Sequence, residues 1–160
     1  MPDAAGFEAF YRDNLARIVR ACALVTLDVT LAEDVAAEAF VRLWSRWGQI
    51  RGPDHAGGFV FKTAMRLCGR EIRRRRRVPA APPREVDEVQ RALDRHEVAR
   101  SLAGLPLRQR QAIVLRDWAG FETGEVARML GMKESTVRVH LARGREHLRQ
   151  VLRVESENGR

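Results

Sequence analysis

The sequence predicts an all-α fold of two small helical domains joined by a proline-rich linker. Apolar residues recur at three- and four-residue steps along most of the chain, and no strand-like alternation or internal repeat competes with that period. Pro79, Pro82 and Pro83 fall within five residues, and because each fixes φ and donates no amide, the segment reads as a stiff non-helical connector. Beyond it, two apolar-striped segments flank Gly131, whose tolerance of positive φ suits a tight turn between helices. The expected organisation is a first domain over residues 7–77, a linker over 78–88 and a second domain over 89–153. A chain of 160 residues holds two modest cores of this kind.

Taken in order, Phe7, Phe10, Tyr11, Leu15, Ile18, Val19, Cys22 and Val25 give the first amphipathic helix. The second is expected to start at a capping box formed by Thr30 and Glu33, with Val35, Ala36, Ala39, Phe40, Leu43, Trp44 and Trp47 as its seam. Turn formers between Gly48 and Asp54 interrupt the pattern, which resumes as a third helix from Phe59 through Val60, Ala64, Leu67 and Ile72. That helix ends in Arg73, Arg74, Arg75, Arg76 and Arg77, five adjacent cations that need water or an anionic partner. After the linker, Val89, Leu93, Ala99 and Leu102 suggest one helix and Leu105-Pro106 interrupts. Ile113, Val114, Leu115 and Trp118 suggest the next. The tail from Glu155 to Arg160 is expected to fray.

Charge bears on partners more than on fold. Lys and Arg number 29 against 21 Asp and Glu, a net charge of +8 that is almost all arginine. Residues 1–77 and residues 89–160 each carry +5, and the linker between them −2. Guanidinium groups make forked hydrogen bonds to phosphate and to guanine edges, so two basic domains suggest two contacts on one nucleic acid. No apolar run reaches spanning length and no leading segment reads as a signal peptide, so the expectation is a cytoplasmic protein without membrane insertion. Cys22 and Cys68 lie in helical patterns and are read as small core residues. His55, His96, His140 and His147 lack metal-ligand spacing, and no catalytic triad, phosphate loop or nucleophile motif is present. No catalytic residue, metal or cofactor is therefore expected; His140 and His147 are read as solvated or phosphate-facing.

The segment from Gly124 to Arg145 has the form of a DNA-reading unit. Val126, Ala127 and Leu130 line the first helix, while Val137, Leu141, Gly144 and Leu148 form the buried stripe of the second. Arg138, Arg143, Arg145 and Arg149 are left on its outer face. A plain pair of surface helices would show the same periodicity.

Four segments in a fixed order carry a family likeness. Ala32 to Trp44, the Arg73 to Arg77 run, Leu102 to Arg110 and Thr136-Val137-Arg138 together resemble a bacterial RNA polymerase sigma factor of the extracytoplasmic-function type, within the sigma-70 family. The likeness spans residues 7–150. It implies a region 2 bundle of three to four helices and a region 4 helix-turn-helix bundle that act without chemistry of their own. Core RNA polymerase and promoter DNA are the implied partners, with an anti-sigma factor as a further one.

The resemblance assigns roles by position. Glu33, Asp34, Glu38, Arg42 and Trp44 match the helix that docks on polymerase. The loop from Gly48 to Ala56 and the segment Phe59 to Arg66 match the device that captures a base flipped out at the downstream element, with Gln49, Arg51, His55, Phe59, Phe61, Lys62 and Arg66 as its parts. Helical spacing alone favours Phe59 as a core residue over a stacking platform. Arg73 to Arg77 are implied phosphate contacts. Lys133, Glu134, Ser135, Thr136, Arg138, Val139, Ala142 and Arg143 match the upstream-element reader, where Arg138 and Arg143 suit guanine and Val139 and Ala142 suit a thymine methyl. Arg108, Arg110 and Arg116 suit phosphate clamping or a solvated face equally.

The sequence departs from the family pattern at several of these positions. Ala37 stands where glutamine is usual, Arg66 where asparagine is, and Arg70 where aspartate is. Lys133 and Glu122 stand where serines usually cap the two helices, leaving Ser135 and Thr136 to rescue the later one. Two other readings stay open at this point: a stand-alone helix-turn-helix regulator, and a degenerate sigma-like module that sequesters polymerase. An RNA-binding role has the least support, since no aromatic sheet motif is present.

Overall fold

The computed structural model describes residues 3–78 and 88–159. The chain forms two units, Met1–Glu85 and Val86–Arg160. Every regular element among the described residues is helical. Most of the proline linker, residues 79–87, lies outside the described residues.

In the first unit, α1 spans Ala4–Thr26, α2 Val29–Trp44 and α3 Pro53–Arg77, with a 3-10 turn at Trp47–Gln49. Asp3 caps α1 by accepting from the Gly6 amide, and Leu27 ends it in the left-handed region at φ 58°. The expected Thr30–Glu33 box does not start α2. Asp28 does, its Oδ1 accepting from the Leu31 amide at 2.9 Å, because an aspartate two residues earlier is already in cap position. Thr30 then falls inside the first turn. The third helix also begins earlier than its periodicity suggested: Gly52 turns the chain at φ 87° and Pro53 occupies the first helical position, where its missing amide costs nothing. Asp54, His55, Gly57 and Gly58 are therefore helical, not part of a loop.

The three helices close on Phe10, Ile18, Cys22 and Val25 of α1, Val35, Phe40 and Leu43 of α2, and Val60, Phe61, Met65 and Cys68 of α3. Phe61, 1% exposed, lies under the Arg17 guanidinium, whose carbon sits 5.2 Å from the ring centroid. Burying such a side chain contributes about 1.5–3 kcal/mol. Cys22 and Cys68 are both buried and free. A hydrogen bond donated by the Cys68 thiol to Cys22, together with burial, pushes Cys68 well above its ordinary range, which keeps it neutral in the core.

In the second unit, α4 spans Glu88–Arg95, α5 Glu97–Ala103, α6 Leu107–Ile113, α7 Thr123–Leu130 and α8 Glu134–Asn158, with a π-helical turn at Val114–Trp118. The single helix expected from Val89 to Leu102 is divided at His96, whose ψ of 120° takes it out of the helix. Ala99 and Leu102 are buried but Val89 is 60% exposed, so only the later half has a core to join. The wide π turn turns Trp118 outward, whereas the period had placed it in the seam. Glu155 lies 3.6 Å from Arg100, and α8 runs unbroken to Asn158, so the tail expected to fray is helical from Glu155 to Asn158.

Gly144 sits in the middle of α8, where glycine costs about 1 kcal/mol relative to alanine. Close packing explains its presence, since a Cβ there would lie 2.9 Å from Ile113 Cγ1 on α6. Overpacking of this kind costs about 1–3 kcal/mol, enough to cancel or exceed the gain in helix propensity. Gly144→Ala is expected to lower the denaturation midpoint of the second unit, followed by the fluorescence of Trp118; a higher midpoint would show that Ile113 yields freely.

Candidate nucleic-acid and polymerase-binding surfaces

The helix-turn-helix is built from α7 and α8. Gly131 ends α7 at φ 64° with its amide on the Ala127 carbonyl, and Lys133 enters α8 without a side-chain cap bond. At the start of α7 Glu125 accepts from the Glu122 amide at 2.8 Å, the reciprocal bond of a capping box. Neither Ser135 nor Thr136 makes the corresponding bond for α8. Val137, Leu141 and Gly144 are buried, and all eight residues expected to read the upstream element are exposed. At 100° per residue, Val139, Ala142 and Ser135 centre the outward face, while Arg138 and Arg143 stand on opposite flanks, about 140° apart.

The arginines of this helix are not equivalent. Arg138 is held by Glu134 at 2.9 Å and Arg149 by Glu146 at 2.9 Å. Arg145 makes two bonds to Asp117, at 2.9 and 2.6 Å, which tie α8 to the π turn and raise the guanidinium pKa further. Arg143 alone among the four has no carboxylate partner among the described residues. Two of the other candidate phosphate clamps serve the fold instead: Arg108 donates to Gln111 and to the Leu130 carbonyl, and Arg110 to the Leu105 carbonyl at 3.0 Å. Arg116 approaches Glu122 at 4.0 Å. His140 and His147 are half-buried rather than solvated, and the His147 ring fills the space beside Gly104.

In the first unit, the end of α2 and the middle of α3 enclose a groove of about 360 Å³. Arg42, Ser45 and Arg46 line one side, and Phe59, Lys62, Thr63 and Arg66 the other, with no carboxylate among them. The structure thus brings together Phe59, Lys62 and Arg66 of the expected downstream-element set. Gln49, Arg51 and His55 are exposed but do not line the groove. Phe59 is half-buried as a groove wall, against the core assignment from spacing, and Phe61, which the resemblance placed among the base-capturing residues, is in the core. Spacing also held an overlooked signal: residues 42, 45 and 46 and residues 59, 62, 63 and 66 each follow one helical face.

Lys62, Arg66, Arg70, Arg73 and Arg77 continue along one side of α3 for about 22 Å. The terminal arginines are already divided between roles. Arg74 pairs with Glu71 at 2.9 Å, and Arg75 reaches Asp28 at 2.6 Å, bracing the cap of α2. Arg73, Arg76 and Arg77 have no acidic partner among the described residues. On α2, Glu33 and Asp34 are exposed, whereas Glu38 is shared between Arg42 and Arg70. Trp44, 39% exposed, stands edge-on to Phe7 with ring centroids 4.9 Å apart. It borders an apolar groove with Phe7, Tyr11, Ala37, Phe40 and Val41, so the alanine at 37 extends an apolar surface where glutamine is usual.

Among the described residues, no three His, Cys, Asp or Glu side chains cluster as metal ligands, and no helix is long and apolar enough to cross a membrane. A helix-turn-helix with an exposed reading face on one unit, and a carboxylate-free cationic groove on another, define a DNA-binding transcription factor.

Comparison with known proteins narrows the class. Residues 10–78 match sigma-70 region 2, and residues 95–148 match sigma-70 region 4. The chain is 31% identical over 149 residues to the ECF RNA polymerase sigma factor SigL of Mycobacterium tuberculosis, covering 87% of this chain and 84% of that protein. It is 28% identical over 154 residues to SigM of the same organism, covering 94% and 79% of the two chains. Among solved structures, CnrH in complex with the cytosolic domain of CnrY shares its fold, with TM-score 0.73 and 22% identity over 95% of this chain and 90% of that one. So does Bartonella quintana RpoE in complex with the anti-sigma factor NepR, with TM-score 0.70 and 21% identity over 93% and 98%. The chain belongs to the ECF sigma factors of the sigma-70 family, non-catalytic initiation factors that bind core RNA polymerase and promoter DNA. Neither the stand-alone regulator nor the sequestering module is favoured.

Proposed function

We propose that this sigma factor directs core RNA polymerase to promoters by dividing the task between its units, residues 7–77 taking the downstream element and residues 89–153 the upstream one. The observation that carries this reading is the presence, in family order, of two separate cationic surfaces of different chemistry. One is a groove with an aromatic wall, suited to an unstacked base, and the other a helix face with an apolar centre and arginine flanks, suited to a duplex major groove.

Each surface has a defined physical task. Lys133, Glu134, Ser135, Thr136, Arg138, Val139, Ala142 and Arg143 face the upstream duplex, and Lys133 and Arg143 are its cations without an acidic partner among the described residues. Phe59, Lys62 and Arg66 hold an opened strand, with Gln49, Arg51 and His55 flanking them on the exposed approach. Each base held by stacking contributes about 1–3 kcal/mol toward strand opening. Arg73, Arg76 and Arg77 neutralise phosphate, releasing counterions. Arg74 and Arg75 join them only at the expense of Glu71 and Asp28. Glu33, Asp34, Glu38, Arg42 and Trp44 form the polymerase-docking face of α2, in which Glu33 and Asp34 have no basic partner among the described residues. The anti-sigma factor bound to Bartonella RpoE supports a partner of that class here too.

The test is transcription by core polymerase with the purified chain on a genomic fragment library, followed by mapping of start sites. The expected result is a set of starts that share two elements at fixed spacing. Polymerase binding without any shared element would refute the division of roles.

A further inference from the structure

The groove between α2 and α3 supports a sharper statement, which rests on the proposed downstream-element role of that site. We propose that this groove selects guanine in the opened strand, and that Arg66 is the residue that selects it.

The lining is one-sided in hydrogen-bonding character. It presents three guanidinium groups, one ammonium and two hydroxyls, and no carboxylate or amide oxygen from a side chain. Arg42 is engaged by Glu38, and the Ser45 hydroxyl donates to the Arg42 carbonyl. Arg46, Lys62 and Arg66 have no acidic partner among the described residues and keep their donors for a ligand. Phe59 and Arg66 are seven residues apart on one helix face, about 10 Å along the axis. A ring stacked on Phe59 therefore meets Arg66 at its edge and not on its face.

A base entering such a groove leads with the atoms farthest from its sugar. Those are carbonyl O6 in guanine and O4 in thymine, but the amines N6 in adenine and N4 in cytosine. The unpaired guanidinium and ammonium groups of Arg46, Lys62 and Arg66 only donate, so they accept the two carbonyls and oppose the two amines, and the hydroxyls of Ser45 and Thr63 are the side-chain acceptors in the lining. Between the carbonyl bases, guanine places N7 beside O6, so the arginine fork finds two adjacent acceptors, whereas thymine offers one. The resulting order is guanine, then thymine, then adenine and cytosine. An asparagine at position 66, usual in the family, brings an acceptor as well as a donor, so the arginine in this chain converts a mixed edge into a donor-only one.

The test uses holoenzyme assembled from core polymerase and the full chain, on a promoter found by start-site mapping, with every downstream-element base varied. One non-template position is expected to favour guanine over adenine and cytosine by about fivefold or more, with thymine second. Arg66→Asn is expected to flatten that position to within about twofold, and Arg66→Lys, which keeps the charge but not the fork, to remove guanine's margin over thymine. Upstream-element preference in the same transcripts reports whether each variant is folded and loaded. Preference for an amine-bearing base, or a guanine preference that survives Arg66→Asn, overturns the proposal. Absence of base preference at every downstream-element position with the unaltered chain, while upstream-element preference is retained, refutes instead the downstream-element role beneath it.

Discussion

Replacing Arg73, Arg76 and Arg77 together by alanine is expected to weaken promoter-DNA binding of the holoenzyme at every sequence and to flatten its salt dependence. These three cations have no acidic partner among the described residues, so each is available to displace a counterion from phosphate. Three lost phosphate contacts lower the slope of log affinity against log salt by about 2 to 3. The effect is greatest at low ionic strength and leaves base preference unchanged, because phosphate contacts position without specifying. Titration across a salt series checks it. The pair Arg74 and Arg75 is expected to behave differently: Arg75→Ala removes the brace on Asp28 and acts through stability, so a fall in salt slope from those two as large as that from the three would contradict the assignment.

Arg143→Ala is expected to produce the largest loss of upstream-element selectivity of any single change in α8. A well-placed arginine contributes about 1–3 kcal/mol of discrimination at one base pair, roughly fivefold to a hundredfold in the preference for the best element over a mismatched one. Arg149→Ala is the control, since Arg149 is spent on Glu146. Arg145→Ala should instead lower stability, because its two bonds to Asp117 join α8 to the π turn. Competition between matched and mismatched elements checks all three. Equal losses from Arg143→Ala and Arg149→Ala would show that the face is read by charge alone.

The second unit was the more legible in the sequence because its decisive signals are local. Gly131 marks a turn that needs positive φ, and Val137, Leu141 and Gly144 mark a face at helical spacing. The proline at the start of α3 was read with its neighbouring glycines as a turn, although proline at a first helical position also opens a helix. The division at His96 has no glycine or proline to announce it. Phe59 and Phe61 lie on nearly opposite faces of one helix, and the packing of α1 and α2 on α3, with Arg17 above Phe61, decides which of them is buried.

The pairings that sort the arginines were out of reach for the same reason. Asp28 and Arg75 are 47 residues apart, and Asp117 and Arg145 are 28 apart. A run of five arginines looks uniform in sequence, yet the fold assigns two of them to carboxylates and leaves three without an acidic partner among the described residues. The groove is likewise a joint product of two helices, with Arg42, Ser45 and Arg46 facing Phe59, Lys62 and Arg66, which the sequence groups instead with Gln49, Arg51 and His55.

The central claim is that this chain works as a subunit of RNA polymerase, and binding to the core enzyme tests it most directly. Titration of the purified full chain with core polymerase at low ionic strength should give a saturable one-to-one complex, weakened when Glu33 and Asp34 are changed to lysine. No association under those conditions would contradict the account.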